Sequence, residues 1–149
     1  MRMADAGLRK IAKWFGLSLL IVFLAIQVIQ PERSNPALES EIAAPPEIAA
    51  ILERSCYDCH SHQTNWPWYA HVAPVSWWLA DHVEHGRGDL NFSEWPVLDF
   101  EELEHAFKDI DEQIEKGEMP LKAYLILHSE AKLSEEEKAA LRAWAQSNF

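Results

Sequence analysis

Cys56-Tyr57-Asp58-Cys59-His60 places two thiols two residues apart and an imidazole directly after the second. This C-x-x-C-H spacing is the attachment signature of a c-type haem. Each thiol can add to one haem vinyl group and form a thioether, and the adjacent histidine then supplies one axial ligand to the iron. The chain holds 2 cysteines in 149 residues, so no other thiol competes for pairing. A thioredoxin-like redox pair needs a neighbouring βαβ pattern, and none is legible. A structural zinc site needs four ligands, usually from a second C-x-x-C or H-x-H pair; His60 and His62 would crowd one loop. Cys56 and Cys59 are therefore read as the covalent attachment points of one haem c per chain, with His60 as the proximal ligand to its iron.

The other face of the iron calls for a second donor. Met119 is the only methionine beyond the first three residues, and it sits in Gly117-Glu118-Met119-Pro120, a turn following a helix. A thioether on such a turn suits a soft sixth ligand, whereas a methionine that fills a core more often lies on a helix or strand face. His60/Met119 ligation raises the reduction potential relative to a bis-histidine pair. The alternative is that one of His62, His71, His82, His85, His105 or His128 replaces Met119, which keeps a redox role at lower potential.

Helices must position these groups. Pro46 is suited to a first helical position, and Ile48, Ile51 and Leu52 follow at i, i+3, i+4, leading straight into Cys56. Trp66, Trp68 and Tyr69 are expected to cover the apolar haem face. Ser76 reads as the cap of a helix from Trp77 to about His85, with Gly86 as its stop. The Pro74 carbonyl is a candidate acceptor for the second ring nitrogen of His60. Arg87 is a candidate partner for a haem propionate. Asn91 to Pro96 reads as loop. Asp99 with Glu102 forms a capping box opening a helix whose apolar face is Leu103, Phe107, Ile110 and Ile114, ended by Gly117. Leu121 to His128 suggests one short helix. Ser134 to Glu137 is a second capping box, before Leu141 and Trp144. No strand alternation and no internal repeat is legible.

Upstream, Arg2, Arg9, Lys10 and Lys13 precede an uncharged run from Trp14 to Gln30. Basic residues before an apolar run mark an export signal, and no small-residue cleavage site is legible around Ala25. Ile11 to Ile29 would reach roughly 28 Å as a helix, close to a bilayer core. Residues 1–30 are thus expected to form an uncleaved N-terminal transmembrane helix. Its basic end would be cytoplasmic and the rest periplasmic, in single-pass attachment to the inner membrane. Residues 31–46 read as a proline-rich linker, and 47–149 as one small domain. Haem is attached to such a motif outside the cytoplasm, which agrees with export.

The net charge is −11. From Pro31 onward nine basic residues face twenty-three acidic ones, a balance of −14. That argues against nucleic acid as a partner and points to a redox protein with a basic docking face.

SCYDCHSHQTNWPWYAHVAPVSWW, GRGDLNFSEW, IEKGEMP and AKLSEEEKAAL together resemble the bacterial haem-binding domain family, over about Ser55 to Leu141. These are membrane-anchored single-haem proteins of the c-type cytochrome kind. The resemblance implies an all-α, cytochrome-c-like domain wrapped around a covalent haem. It also implies Cys56 and Cys59 as attachment sites, His60 as proximal ligand and Met119 as distal ligand. Trp78 departs from the family pattern without touching a ligand position. The function expected is one-electron transfer rather than enzymatic catalysis. The competing reading is a haem-based sensor or small haem enzyme with an open or displaceable distal site. No G-x-S-x-G, P-loop or H-E-x-x-H motif supports a hydrolase or phosphoryl transferase.

Overall fold

The computed structural model describes residues 2–38, 42–95 and 98–148. Residues 39–41 of the expected linker and Pro96 of the expected loop lie outside them. Among the described residues seven α-helices run in order: α1 (Arg2–Ile26), α2 (Pro46–Ser55), α3 (Tyr57–His60), α4 (Val75–Asp89), α5 (Phe100–Lys116), α6 (Lys122–Leu125) and α7 (Glu135–Gln146). Short 3-10 turns stand at Trp68–His71 and Ser129–Ala131. No strand forms among the described residues, so the expected all-α class holds.

The chain divides into two compact units, Met1–Arg33 with Pro67–Asp81, and Ser34–Trp66 with His82–Phe149. The second unit holds the core. Ile48, Ile51 and Leu52 of α2, Phe107, Ile110 and Ile114 of α5, and Leu141, Trp144 and Ala145 of α7 are all buried in one cluster. Each set lies at helical spacing, so three amphipathic helices bury one stripe apiece. Tyr57, Phe92, Trp95, Phe107 and Trp144 form a continuous run of ring contacts through this core, with successive centroids 5.1 to 5.8 Å apart.

Both capping boxes form. Asp99 accepts from Glu102 N and donates its own N–H to Glu102, each at 2.9 Å; Ser134 and Glu137 exchange bonds of 2.8 and 3.2 Å. Gly117 ends α5 at φ 66°, a left-handed conformation that favours glycine. Pro46 takes a first-turn position of α2. Charged pairs tie the helices at their rims: Arg142 of α7 meets Asp111 at 2.6 Å and Glu115 at 2.9 Å on α5, and Arg54 of α2 meets Glu137 at 2.8 Å.

The expectations for α4 need correction. The helix starts at Val75 rather than after Ser76, and Ser76 is fully buried with no hydrogen-bond partner for its hydroxyl among the described residues, so it caps nothing. Nor does Gly86 stop the helix: α4 continues to Asp89, because Gly86 does not adopt the positive φ of a terminating glycine.

In the first unit, the end of α1 is fastened to the Pro67–Asp81 segment. The Gln27 side chain exchanges hydrogen bonds of 2.9 and 3.1 Å with the Ala73 backbone, and Trp77 Nε1 donates to Ile29 O at 2.6 Å. The expected transmembrane span is corrected here. Among the described residues no helix is long and apolar enough to cross a membrane. The helix ends at Ile26 instead of Ile29, so its apolar part from Ile11 covers about 24 Å, short of a core of roughly 30 Å. Extending it backward brings in Lys10 and Arg9.

The Arg142 hydrogen bond, more than any other contact, lowers the Asp111 pKa from its ordinary 3.8. A depressed carboxylate pKa stabilises the fold above the unfolded value and ceases to do so as pH falls through the folded value. Asp111→Asn should therefore lower the melting temperature at pH 7. The gap from wild type should close as pH drops below about 4, as read from thermal melts across pH 2 to 7.

Candidate functional site

The attachment segment is shaped by the end of α2. Cys56 N donates to Leu52 O at 2.8 Å, closing the helix, and α3 then winds one turn in which Cys59 N and His60 N both donate to Cys56 O, at 3.1 and 3.0 Å. This turn turns His60 toward the last turn of α4. His60 Nδ1 donates to Gly86 O at 2.8 Å and lies 3.1 Å from Leu90 O. Carbonyls only accept, so Nδ1 carries the proton and the Nε2 lone pair is left for a metal. The backbone joins in, with Phe92 N donating to His60 O at 2.8 Å.

Pro74 was the expected partner of that nitrogen, and it is not. Its carbonyl is taken up by the first turn of α4, accepting from Trp77 N and Trp78 N at 3.2 and 3.4 Å. Gly86 replaces it for a steric reason. A Cβ on Gly86 would come 2.8 Å from Cys59 O and 3.4 Å from Cys59 Cβ. Only glycine lets α4 approach the Cys59 backbone closely enough for the Gly86 carbonyl to reach His60.

One cavity of about 660 Å³ opens beside this arrangement. Leu52, Ser55, Cys56 and His60 form one wall, and Gly88, Asp89, Leu90 and Phe92 a second. Residues of α5 from His105 to Ile114 form a third, and Met119 with Pro120 closes the lining. Three of the four residues singled out in the sequence, Cys56, His60 and Met119, thus border the same space, although Met119 is 59 positions beyond His60 in the chain. Cys59 is outside the lining and packs with its backbone against Gly86.

The residues present fit a haem. The volume is that of a cofactor-sized pocket. The lining is apolar along Leu52, Phe92, Ile110 and Ile114. The Ser55 hydroxyl, in a residue only 6% exposed, has no hydrogen-bond partner among the described residues. Burial pushes the Cys56 thiol up to about 12, with Cys59 beside it adding to the shift. Burial, then the nearby Asp58 carboxylate, pushes Cys59 up to about 11. An environment hostile to thiolate suits an uncharged thioether sulfur.

Arg87 does not stand free for a propionate. It lies within α4 and donates to Ser61 O (2.8 Å), Ser34 O (3.0 Å), Asn35 Oδ1 (3.0 Å) and Thr64 Oγ1 (2.8 Å). It braces the chain that follows His60. His62 is likewise structural: buried, it accepts from Asn91 Nδ2 at 2.9 Å, while its N–H donates to Ser93 Oγ at 2.9 Å. The aromatic cover is also different from the expected one. Trp66, Trp68 and Tyr69 are absent from the cavity lining, and Trp68 is 78% exposed. Phe92, 2% exposed and in edge contact with His60 at 6.4 Å, takes that place.

Asp58, between the two cysteines, accepts from Asn65 N at 2.9 Å and from the Tyr124 hydroxyl at 2.6 Å. Burial first, and then the bond to Asp58, holds the Tyr124 phenol well above its usual range, so it remains a donor. The Tyr124 ring stacks on His128 with centroids 4.2 Å apart.

The model of one family, described as a haem-binding domain, matches residues 21–147. No curated protein and no solved structure matches the chain.

Gly86→Ala should displace the Cys59 carbonyl or push α4 away, because backbone at 2.8 Å has little room to give. Haem incorporation is expected to fall severalfold, read as the ratio of Soret absorbance to protein. Gly88→Ala, where an added Cβ meets nothing within 4 Å, serves as the control and should retain it.

Proposed function

The chain belongs to the haem-binding domain family, and from that premise we propose that it is a monohaem c-type cytochrome, a one-electron carrier rather than an enzyme. The observation that carries this reading is the convergence of Cys56, His60 and Met119 on one cavity, with His60 already oriented by two backbone carbonyls. Haem c, when bound, supplies the one-electron couple. Cys56 and Cys59 would hold it by thioether bonds, and His60 Nε2 and the Met119 sulfur would be the groups that ligate its iron. The Nδ1 hydrogen bonds keep the imidazole from turning and raise its basicity as a ligand. Phe92, Ile110 and Ile114 supply the apolar part of the cavity wall that would lie against the haem. Iron held by both His60 and Met119 would leave no open site for small ligands, which is what separates a carrier from a sensor or haem enzyme.

The acidic balance of the chain beyond residue 30 supports a redox partner with a basic face rather than nucleic acid. The C-x-x-C-H segment supports a periplasmic position, since thioether attachment takes place outside the cytoplasm. Helix α1 supports lipid as a second partner. Leu19, Ile21 and Leu24 are all more than half exposed, and Arg9, Lys10 and Lys13 stand near its start. We assign it lipid contact at the inner membrane. The full chain should co-sediment with phospholipid vesicles, and a chain lacking residues 2–26 should stay in the supernatant. A full chain that does not co-sediment would remove lipid from its partners.

The ligation is tested by absorption spectra of the oxidised and reduced holoprotein. Wild type should show a far-red sulfur-to-iron band when oxidised and at most a slow shift with carbon monoxide when reduced. Met119→Ala should lose the band, bind carbon monoxide and fall in potential. An unchanged spectrum in Met119→Ala would assign the sixth position to a histidine, and fast carbon monoxide binding by wild type would favour the sensor or enzyme reading.

A further inference from the structure

Met119 is suspended between two points. On its N-terminal side, Glu118 N and Met119 N both donate to Gln113 O, at 3.0 and 3.4 Å, so α5 holds the turn through its own C-terminal carbonyl. On its C-terminal side little holds the chain by packing. Helix α6 buries no residue, and Ile126 and Leu127 just beyond it are 79% and 66% exposed. A segment with few buried apolar contacts opens at low free energy. The strong tie there is the 2.6 Å hydrogen bond from the Tyr124 hydroxyl to Asp58 Oδ2. Asp58 is itself fixed, since its other oxygen accepts from Asn65 N. Tyr124 is braced by its parallel stack on His128, whose own chain N–H donates to Tyr124 O at 3.2 Å.

We infer that the Asp58–Tyr124 hydrogen bond is a latch that holds the Met119 segment closed against the attachment loop. Tyr124 is then a positioning residue: it is outside the cavity lining, and acts by limiting how often residues 119–125 swing away. The inference rests on the His60/Met119 reading only for its consequence at the iron; the tether itself stands on the geometry. A bond to a carboxylate in a partly buried setting shifts an opening equilibrium by roughly tenfold to a hundredfold. The latch therefore decides how displaceable the distal position is, which is the property distinguishing a closed carrier from a ligand-binding haem protein.

The test compares holoprotein carrying wild-type sequence, Tyr124→Phe, Asp58→Asn and both changes together. Tyr124→Phe removes one oxygen and keeps the ring stack; Asp58→Asn keeps the shape and weakens the acceptor. Two readouts are followed: amide hydrogen exchange by mass spectrometry over residues 119–125, and the rate of carbon monoxide binding to reduced protein. The latch predicts that Tyr124→Phe speeds exchange in that segment and carbon monoxide binding by about tenfold or more, with α5 and α7 exchange unchanged. The double variant should be no worse than Tyr124→Phe alone. A general loss of structure would raise exchange throughout the helices and would count against the latch, as would wild-type exchange in both single variants. If wild type itself lacks the sulfur-to-iron band, Met119 ligation fails, and exchange over 119–125 still decides the latch by itself.

Discussion

The grip of the Gly86 and Leu90 carbonyls on one nitrogen of His60 is the contact on which the site depends. It imposes three conditions at once. Helix α4 must run past Gly86 so that its last carbonyls face the attachment turn. Position 86 must lack a side chain so that the helix can lie against Cys59. The chain after α4 must then return along His60, which it does through the Phe92 N–H. Each condition serves to fix a single tautomer and a single ring orientation, and together they leave Nε2 directed away from the backbone.

Around that contact the second unit combines two kinds of force. The α2–α5–α7 core is held by area: three apolar stripes and a run of aromatic rings from Tyr57 to Trp144. The perimeter of the attachment loop is held by directed polar bonds. Arg87 gathers Ser34, Asn35, Ser61 and Thr64; His62 joins Asn91 and Ser93; Asp58 joins Asn65 and Tyr124. Apolar burial is non-directional and suits a scaffold. Hydrogen bonds specify angle and register, which a loop carrying ligand groups requires. The side of the cavity with least apolar support is the one that carries Met119, so its closure is governed by polar contacts rather than by the core.

The unit containing α1 answers to different rules. Its apolar side chains face outward, and its internal order comes from Gln27 and Trp77 fastening the helix end to the segment around Ala73. The helix itself ends where the backbone leaves the i−4 ladder, with Gln27, Val28 and Ile29 N–H donating to Leu24, Ala25 and Ile26 O. Gln27 directs its amide to a distant backbone, and the helix does not continue through Val28 and Ile29.

Much of the scaffold was legible in the sequence because its signals are local. Capping boxes at Asp99 and Ser134, the stop at Gly117, and the apolar spacing of α2, α5 and α7 depend on residues within one or two turns of each other. The C-x-x-C-H motif is local chemistry of the same kind, and so is a methionine on a turn after a helix. What the sequence could not disclose involves residues brought together from far apart. Glycine before arginine reads locally as a helix stop, yet Gly86 is a packing glycine because Cys59 lies against it. Trp66 and Trp68 look like haem cover by composition, but Phe92 occupies the wall because the chain after α4 folds back on His60. Arg87 reads as a partner for a propionate and is instead a half-buried brace within α4. The sequence by itself therefore determined the helices and the chemistry available to them. The tertiary structure decided which carbonyl holds His60, that Met119 shares its cavity, and that Tyr124 reaches Asp58, because those contacts depend on packing between segments far apart in the chain.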